Sequence, residues 1–550
     1  MELLEPARAW MAADPDDRMR DQLTRLIDRA EGGDVEALDE LADAFDGTLE
    51  FGTAGLRGRV GPGPNRMNVV VVARAAAGLA RYVLAHGGGA VVVGHDARHD
   101  SDLFARTTAQ ILTGAGLSVM MLPGRLPTPV LAFAIRSLGC AAGVMVTASH
   151  NPAEDNGYKV YLGDGVQIVP PADAEIARHI ADVAALGPVA DLPHGGEWDT
   201  LGDEIVARYV AKVASTLEAG PPLHVKLAYT AMHGVAGSTF LRVLEESGFP
   251  EPVIVEEQFS PDPDFPTVPF PNPEEPGAMD LALATAAEHE CDVLIAHDPD
   301  GDRCAVGVPG PDGWRMLSGD EVGWLLGWWI AAGNRRLTRH CVFAESIVSG
   351  TMLKAIAEDA GIDYAQTLTG FKWIARVPDL TYGYEEALGY CVDPTGVSDK
   401  DGISAGLMVA EMVARLKQWN TDVLHVLDDL AQQYGVHATR PISLRVDDLT
   451  RIDAIMSAVR ADPPAAIAGI RVAEMVDLID GTDELPATDA LVFHLESGAR
   501  VVIRPSGTEP KIKCYLQSVV KDEVDDLPAA RAVAEAELDA IGAEVTRWLQ

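Results

Sequence analysis

The sequence predicts an α/β protein. Three similar βαβ-type domains with mixed, mostly parallel sheets are followed by a C-terminal α+β domain, all around one cleft. Three observations carry this expectation. Three segments share one layout: a β-rich run, a polar loop, an amphipathic helix and a Gly-led return to a strand, which is the pattern of βαβ units. In two of them the layout continues through a second helix into an apolar strand and a further polar loop. After about residue 438 the alternation gives way to several strands and a long last helix.

The three segments are AVVVGHDARHDSDLFARTTAQILTGAGLSVMML, LHVKLAYTAMHGVAGSTFLRVLEESGFPEPVIV and HCVFAESIVSGTMLKAIAEDAGIDYAQTL. Ser101, Ser238 and Ser349 stand at or near the helix starts, as N-caps should, and Gly116, Gly248 and Gly361 follow the helices, as C-terminal stops should. LAFAIRSLGCAAGVMVTASHNP continues the first unit and LALATAAEHECDVLIAHDPDGDR the second; FKWIARVPDLTYGYEEALGY is a weaker third match. The predicted domains are 1–212, 213–322, 323–437 and 438–550. Ligands of such sheets bind beyond the carboxyl ends of the strands, where all three polar loops fall.

The 550 residues suffice for about three or four domains of roughly 150 residues each. Composition is globular, and only the acidic stretch MAADPDDRMRD is a candidate for disorder. A formal net charge of -40 opposes nucleic acid and anionic membrane as partners, so an anionic substrate needs local positive charge. The six cysteines are scattered with no CxxC and sit mostly in apolar runs, so reduced, buried thiols are expected. No signal peptide is evident in MELLEPARAWMAADP, and VGWLLGWWIAAG is too short to span a membrane and reads as a core helix. A cytoplasmic protein is expected; its oligomeric state is not legible.

DPDGDR places Asp298, Asp300 and Asp302 at alternate positions after the apolar run DVLIAH. In an extended loop these side chains face one way, and converging carboxylates need a cation; hard oxygen ligands suit Mg²⁺ or Ca²⁺. An Asp-Gly loop is more often a solvated turn. A calcium EF-hand fails on spacing, with Arg303 at the glycine position and Pro309 at the glutamate position. Mg²⁺ is the favoured reading.

RPSGTEPKIK follows a strand and offers the Arg504 fork, the hydroxyls of Ser506 and Thr508 and turn amides around Gly507, a set suited to phosphate. A lone SGT is ordinarily a turn; the arginine before it and two lysines after it favour an anion site. Glu385 and Glu386 in GYEEALGY are suited to sugar hydroxyls or acid/base work, although a Glu-Glu pair is more often a solvated surface. Lys400 follows closely in SDKDG. About half of the few lysines fall in or beside these loops, among them Lys159, Lys400 and Lys511. FGTAGLRGRVGPGPNRMN is either a flexible leader or a basic lobe with Arg57, Arg59 and Arg66, and GHDAR reads as structural.

TASHNP raises the question of a Ser-His hydrolase. Neighbouring side chains of an extended segment point to opposite faces, which puts His150 badly for activating Ser149, and there is no GxSxG elbow. Ser149 instead occupies in the first unit the position that DPDGDR occupies in the second. A serine facing a metal and a phosphate site suggests phosphoryl transfer.

TASHNP, DPDGDR, EEALGY and RPSGTEPKIK, in this order, resemble the α-D-phosphohexomutase superfamily over essentially the whole chain. FGTAGLRGRVGPGPNRMN, TGFKW, PNPEEPG and DKDG look more like the branch of phosphoglucomutase type 2 and phosphopentomutase, and the sugar loop lacks the histidine of the GEMSGH form of the bacterial phosphomannomutase/phosphoglucomutase branch. The resemblance implies an isomerase that moves phosphate between hexose 1- and 6-positions, glucose first and mannose next, through a phosphoserine and a bisphosphate. It implies phosphoryl transfer by Ser149, with Mg²⁺ held by Asp298, Asp300, Asp302 and a phosphoserine oxygen, and glucose 1,6-bisphosphate or an equivalent as activator. Lys159 matches the general acid/base, His150 and Arg57 match residues near the phosphoserine, and Arg303 lies beside the metal. Glu385 and Glu386 match the sugar loop with Lys400 near; Arg504, Ser506, Gly507, Thr508 and Lys511 match the distal phosphate loop. The partner is a small-molecule sugar phosphate. A phosphopentomutase is the main rival. A non-catalytic sugar-phosphate-binding protein is disfavoured, since it needs no phosphorylatable serine.

Overall fold

Helices of alternating apolar pattern and short β-branched runs assemble into four sheets, seen in a computed structural model that describes residues 3–217, 223–333, 340–445, 449–505, 511–522 and 524–549. The chain divides into two compact units, Met1–Met316 with Gly389–Ala414, and Leu317–Leu388 with Arg415–Gln550.

The first unit opens with the helices Leu4–Ala13, Asp17–Glu31 and Val35–Ala44. The acidic stretch suspected of disorder is therefore helical on both sides of a break at residues 14–16. Asp16 caps its helix by accepting from Arg18 N, and Met19, Leu23, Leu26, Ile27 and Ala30 are buried; Leu23, Leu26, Ile27 and Ala30 share a small core with Ala7, Ala37 and Leu41. Acidic composition hid an amphipathic face with one apolar residue per turn.

Six strands form the next sheet, in the spatial order Leu56–Arg59, Asp155–Leu162, Ala142–Val146, Val91–His95, Val119–Arg125 and Asp199–Thr200. Val91–His95 runs parallel to both of its neighbours, whereas Asp155–Leu162 is antiparallel to both of its own. The two central strands are buried along their full length, which explains their unbroken apolar runs. The glycine-rich leader is part strand: Leu56–Arg59 forms one edge of the sheet, with Arg57 opposite Gly157.

The five-stranded sheet repeats this plan in the order Gly313–Met316, Cys304–Gly310, Val293–His297, Leu227–Thr230 and Val253–Ile254. Its apolar strand Val293–His297 is again parallel to the first strand of its unit and antiparallel to the next. In the second compact unit, Val342–Ser346 lies between Asp363–Thr367 and Leu380–Glu385, both parallel to it. The repeat read from the sequence is thus structural. TASHNP, DPDGDR and EEALGY leave the same strand of three sheets. The helix Gly319–Gly333 buries Val322, Trp324, Leu325, Leu326, Trp329 and Ile330, as a core helix does.

The C-terminal sheet is antiparallel throughout, in the order Val436–Arg445, Lys511–Val520, Arg500–Pro505, Leu491–Leu495, Ile470–Asp477 and Ala466–Ile467, with the helices Leu449–Ala461 and Leu527–Leu549. All six cysteines are buried, and none is in a disulfide. Among the described residues, no helix is long and apolar enough to cross a membrane.

The serine caps do not hold. Gly116, Gly248 and Gly361 follow their helices with positive φ, but the helices begin at Ser101, Gly237 and Met352, and none has a side-chain cap. Ser101 Oγ donates to Asp96, and Ser349 Oγ donates to Glu386. Neighbouring carboxylates outcompete the helix ends for these hydroxyls.

Candidate active site

Ser149 sits just past Ala142–Val146, 3% exposed, with φ of 51°. A non-glycine residue in this left-handed region costs on the order of 1 kcal/mol or more, so surrounding contacts must hold it. Ser149 N donates to Thr147 Oγ1 (2.9 Å) and Ser149 Oγ donates to Asp298 Oδ2 (2.6 Å). The left-handed turn also corrects one expectation: His150 does not point away, and its Nδ1 lies 3.2 Å from Ser149 Oγ. Burial, with Arg303 and Arg57 adding, holds the His150 imidazole well below its usual pKa and thus neutral.

Asp298, Asp300 and Asp302 are fully buried and present carboxylate oxygens within 4.8 Å of one another. The convergence arises from a turn, not from the alternation of an extended loop. Gly301 N donates to Asp298 O (2.9 Å) with φ of 70° at Gly301, where a Cβ would come to 2.9 Å from Ala236 Cβ. The strand end before it is locked: His297 Nε2 donates to Gly402 O (2.9 Å), so its Nδ1 accepts from the Tyr229 hydroxyl (3.0 Å).

Lys159, on the antiparallel strand next to the serine strand, donates from Nζ to Asp300 Oδ2 (2.6 Å) and Asp302 Oδ2 (2.8 Å). Lys400 Nζ lies 3.4 Å from Asp302 Oδ2, Arg303 N donates to Asp298 Oδ1 (3.0 Å), and Arg303 Nη1 lies 3.5 Å from Glu274 Oε2. Arg57 Nη1 donates to Asn151 Oδ1 (3.1 Å) in the serine loop. Burial and the two neighbouring carboxylates push Asp298 well above the carboxylate range. Asp300 and Asp302, despite the same burial, are held below it by Lys159, with Lys400 and Arg303 adding at Asp302. Burial alone would lower the Lys159 ammonium, but Asp300 and Asp302 raise it.

The group fits a divalent cation. Asp300 Oδ1 and Asp302 Oδ1 are buried and make no hydrogen bond, and an all-oxygen donor set of three carboxylates matches a hard metal ion. Among the described residues no other group of His, Cys, Asp and Glu converges in this way.

Two contacts escaped the sequence reading. Thr128, at the start of the helix Thr128–Leu138, donates from Oγ1 to Asp300 Oδ2 (2.6 Å) and from N to Asp300 O (2.9 Å). Arg98, read as structural, reaches the serine loop. The Thr-Pro helix start in RLPTPV was a signal for a helix terminus, though not for its target.

Within the second unit, Glu385 ends its strand and is 7% exposed. Glu386 Oε2 accepts from Ser346 Oγ (3.1 Å) and Ser349 Oγ (3.3 Å), and Glu386 N donates back to Ser349 Oγ (3.2 Å). Arg504 lies on Arg500–Pro505 opposite Lys513, and Lys511 opens the neighbouring strand. Ser506, Gly507 and Thr508 lie outside the described residues.

Known proteins share this architecture over most of the chain. Models of the three α/β/α domains of phosphoglucomutase/phosphomannomutase match residues 48–186, 207–310 and 318–434, and that of the C-terminal domain matches 444–534. A Haemophilus influenzae protein described as a probable phosphomannomutase is 48% identical over 85% of this chain and 96% of its own length. The chain belongs to the phosphoglucomutase/phosphomannomutase family. As a member of that family it is an isomerase that moves a phosphoryl group on a sugar phosphate. Human phosphopentomutase is 33% identical over 92% of this chain and 90% of its own, and Staphylococcus aureus phosphoglucomutase is 31% identical over 87% and 91%. A solved structure from Thermus thermophilus, assigned as a phosphomannomutase, superposes with a TM-score of 0.68 at 27% identity, covering 88% of this chain and 99% of that one.

Proposed function

We propose that the protein interconverts hexose 1-phosphate and hexose 6-phosphate, glucose first and mannose second, using Mg²⁺ and a phosphoserine at Ser149. One observation carries the reading: Ser149 Oγ lies 2.6 Å from Asp298 inside a buried triad of carboxylates. Asp298, Asp300 and Asp302, with a phosphoserine oxygen, would hold Mg²⁺, which when bound supplies neutralisation of the charge on the transferring group.

In the first half-reaction a sugar hydroxyl oxygen bonds to the phosphoserine phosphorus while the phosphorus–Oγ bond breaks, leaving a sugar bisphosphate and free Ser149. In the second, Ser149 Oγ bonds to the phosphorus of the other phosphoryl group while the bond from that phosphorus to the sugar oxygen breaks, which re-forms the phosphoserine and frees a sugar hydroxyl. In each half the proton lost by the attacking hydroxyl ends on the departing oxygen. Lys159, held as an ammonium among carboxylates, is suited to give a proton to the departing oxygen and to recover it in the reverse direction. Neutral His150 hydrogen-bonds Oγ and keeps the serine oriented. Arg57 and Arg303 add the local positive charge that a protein of net charge -40 needs for an anionic substrate. We assign the sugar hydroxyls to Glu385 and Glu386 and the distal phosphate to Arg504, Ser506, Gly507, Thr508 and Lys511. Lys400, beside Asp302, is better placed for the reacting phosphate than for the sugar.

Relatives described as phosphomannomutase and phosphoglucomutase support a hexose. Pentose phosphate is the second reading, favoured by relatives named phosphopentomutase and by a sugar loop, EEALGY, without histidine. Six buried thiols, none of them in a disulfide, support a reducing, cytoplasmic setting.

The experiment supplies purified protein with Mg²⁺ and trace glucose 1,6-bisphosphate, and assays glucose, mannose and ribose 1-phosphates in parallel. Glucose 1-phosphate is expected to give the highest kcat/KM; a dominant ribose activity would install the pentose reading. Ser149→Ala is expected to lose at least about a thousand-fold in kcat, and full activity in that variant would sink the mechanism.

A further inference from the structure

Arg98 lies between the central strand Val91–His95 and the helix Ser101–Gly114, and only 4% of it is exposed. Its guanidinium donates to four backbone carbonyls of a single loop. Nη2 bonds Ser149 O (2.7 Å) and Asn151 O, and Nη1 bonds Pro152 O (2.6 Å) and Asp155 O (3.1 Å). The four η hydrogens are thus matched by four carbonyls within seven residues. Asp96 steadies the fork: its Oδ1 accepts from Arg98 N (3.0 Å) and its Oδ2 lies 3.6 Å from Nε. Phe265 covers the other side, with its ring centroid 5.0 Å from the guanidinium carbon.

We propose that Arg98 is the positioning residue of the serine loop, a clamp that holds Ser149 in its left-handed conformation with Oγ on Asp298. The proposal rests on the reading of Ser149 as phosphoryl carrier. The backbone of residues 149–155 makes few other bonds: Asn151 N reaches Ala148 O and Asp155 N reaches Pro152 O, both short turns, and Glu154 O accepts from Val60 N. Within TASHNP the left-handed φ at Ser149 has one local side-chain support, the bond from Ser149 N to Thr147 Oγ1, and Arg98 is the side chain that gathers the loop's carbonyls from outside it. A lysine offers three donors from one nitrogen and cannot span the four carbonyls. Phosphoryl transfer depends on in-line placement of the attacking oxygen, so a loosened loop lowers turnover more than sugar affinity.

The test compares wild type with Arg98→Lys and Arg98→Met. Three quantities are read: kcat and KM for glucose 1-phosphate, phosphate on Ser149 by intact mass after incubation with glucose 1,6-bisphosphate, and amide hydrogen exchange. The expected result is a kcat lower by about 100-fold, KM within about threefold, and exchange in residues 148–156 faster by about tenfold while strand Val91–His95 keeps its protection. Wild-type kcat in Arg98→Lys overturns the proposal. So does exchange that rises equally in loop and strand, which marks a residue that only stabilises the fold. If neither variant folds, wild type decides on the loop amides that are hydrogen-bonded, those of Ser149, Asn151 and Asp155: in a clamped loop they exchange about as slowly as the strand, and exchange there faster by orders of magnitude overturns the clamp. If wild type neither turns over sugar phosphate nor carries phosphate on Ser149, the phosphoserine reading fails, while the exchange data still judge the clamp.

Discussion

Lys159 is the charge that lets three carboxylates share one buried pocket. Its ammonium spans Asp300 and Asp302 at 2.6 and 2.8 Å, and removing one partner of such a group leaves charges unpaired at a cost of about 3–5 kcal/mol. Lys159→Met is therefore expected to melt well below wild type without metal and to recover more on adding Mg²⁺, because the cation then supplies the neutralisation that Lys159 no longer gives. Calorimetry with and without Mg²⁺ checks this; equal melting shifts in the two proteins would count against the cation site. Its kcat is expected to fall about 10²–10⁴-fold. Arg504 makes a different kind of claim. If it binds the phosphate that stays on the sugar, Arg504→Ala raises KM by roughly ten-fold or more, on the order of 1.5–3 kcal/mol for a charged hydrogen bond, and an unchanged KM removes it from the site.

At the scale of elements, the metal loop depends on the turn at Gly301. A Cβ there meets Ala236 Cβ at 2.9 Å and Pro127 Cβ at 3.1 Å, and φ is 70°. Gly301→Ala is expected to cost about 1–2 kcal/mol of stability and to weaken Mg²⁺ binding, read by thermal melts and metal titration; unaltered metal affinity would show that the turn does not aim the carboxylates. Much of this was legible beforehand. Alternating strand and helix patterns, followed each time by a polar loop, revealed three like sheets, and Asp298, Asp300 and Asp302 were read as one cluster. The route to that cluster was not legible, because it runs through a left-handed glycine rather than an extended strand. Ser149 and His150 show the same gap: a positive φ fixed by Arg98 from 51 residues away leaves no local trace, so two side chains expected on opposite faces meet at 3.2 Å. Ser101 and Ser349 had the right composition for caps but met Asp96 and Glu386 instead.

For the whole molecule, acidity meets burial at Glu345. Its side chain is fully buried on Val342–Ser346, Tyr364 donates to Oε1 at 2.5 Å, and Oε2 has no partner. Burial pushes this carboxyl up to about 8, above the value of 4.5 expected when unfolded. The folded state then keeps a proton that the unfolded state releases, so this contribution is complete below pH 4.5 and is lost as pH rises toward 8. Glu345→Gln is expected to raise Tm at pH 7.5 relative to wild type, by up to about 2–3 kcal/mol in stability, and to leave it near wild type at pH 4.5. Melts at the two pH values check this, and equal shifts at both would reject the buried acid as the cause. The threefold sheet plan has a longer reach. On the proposed reading, phosphoryl carrier, metal ligands and sugar ligands leave the same strand of three separate copies. Chemistry and sugar choice are thereby inherited on different loops, and a lineage can change the sugar it accepts by rewriting residues 385–390 while the serine and its cation drift not at all.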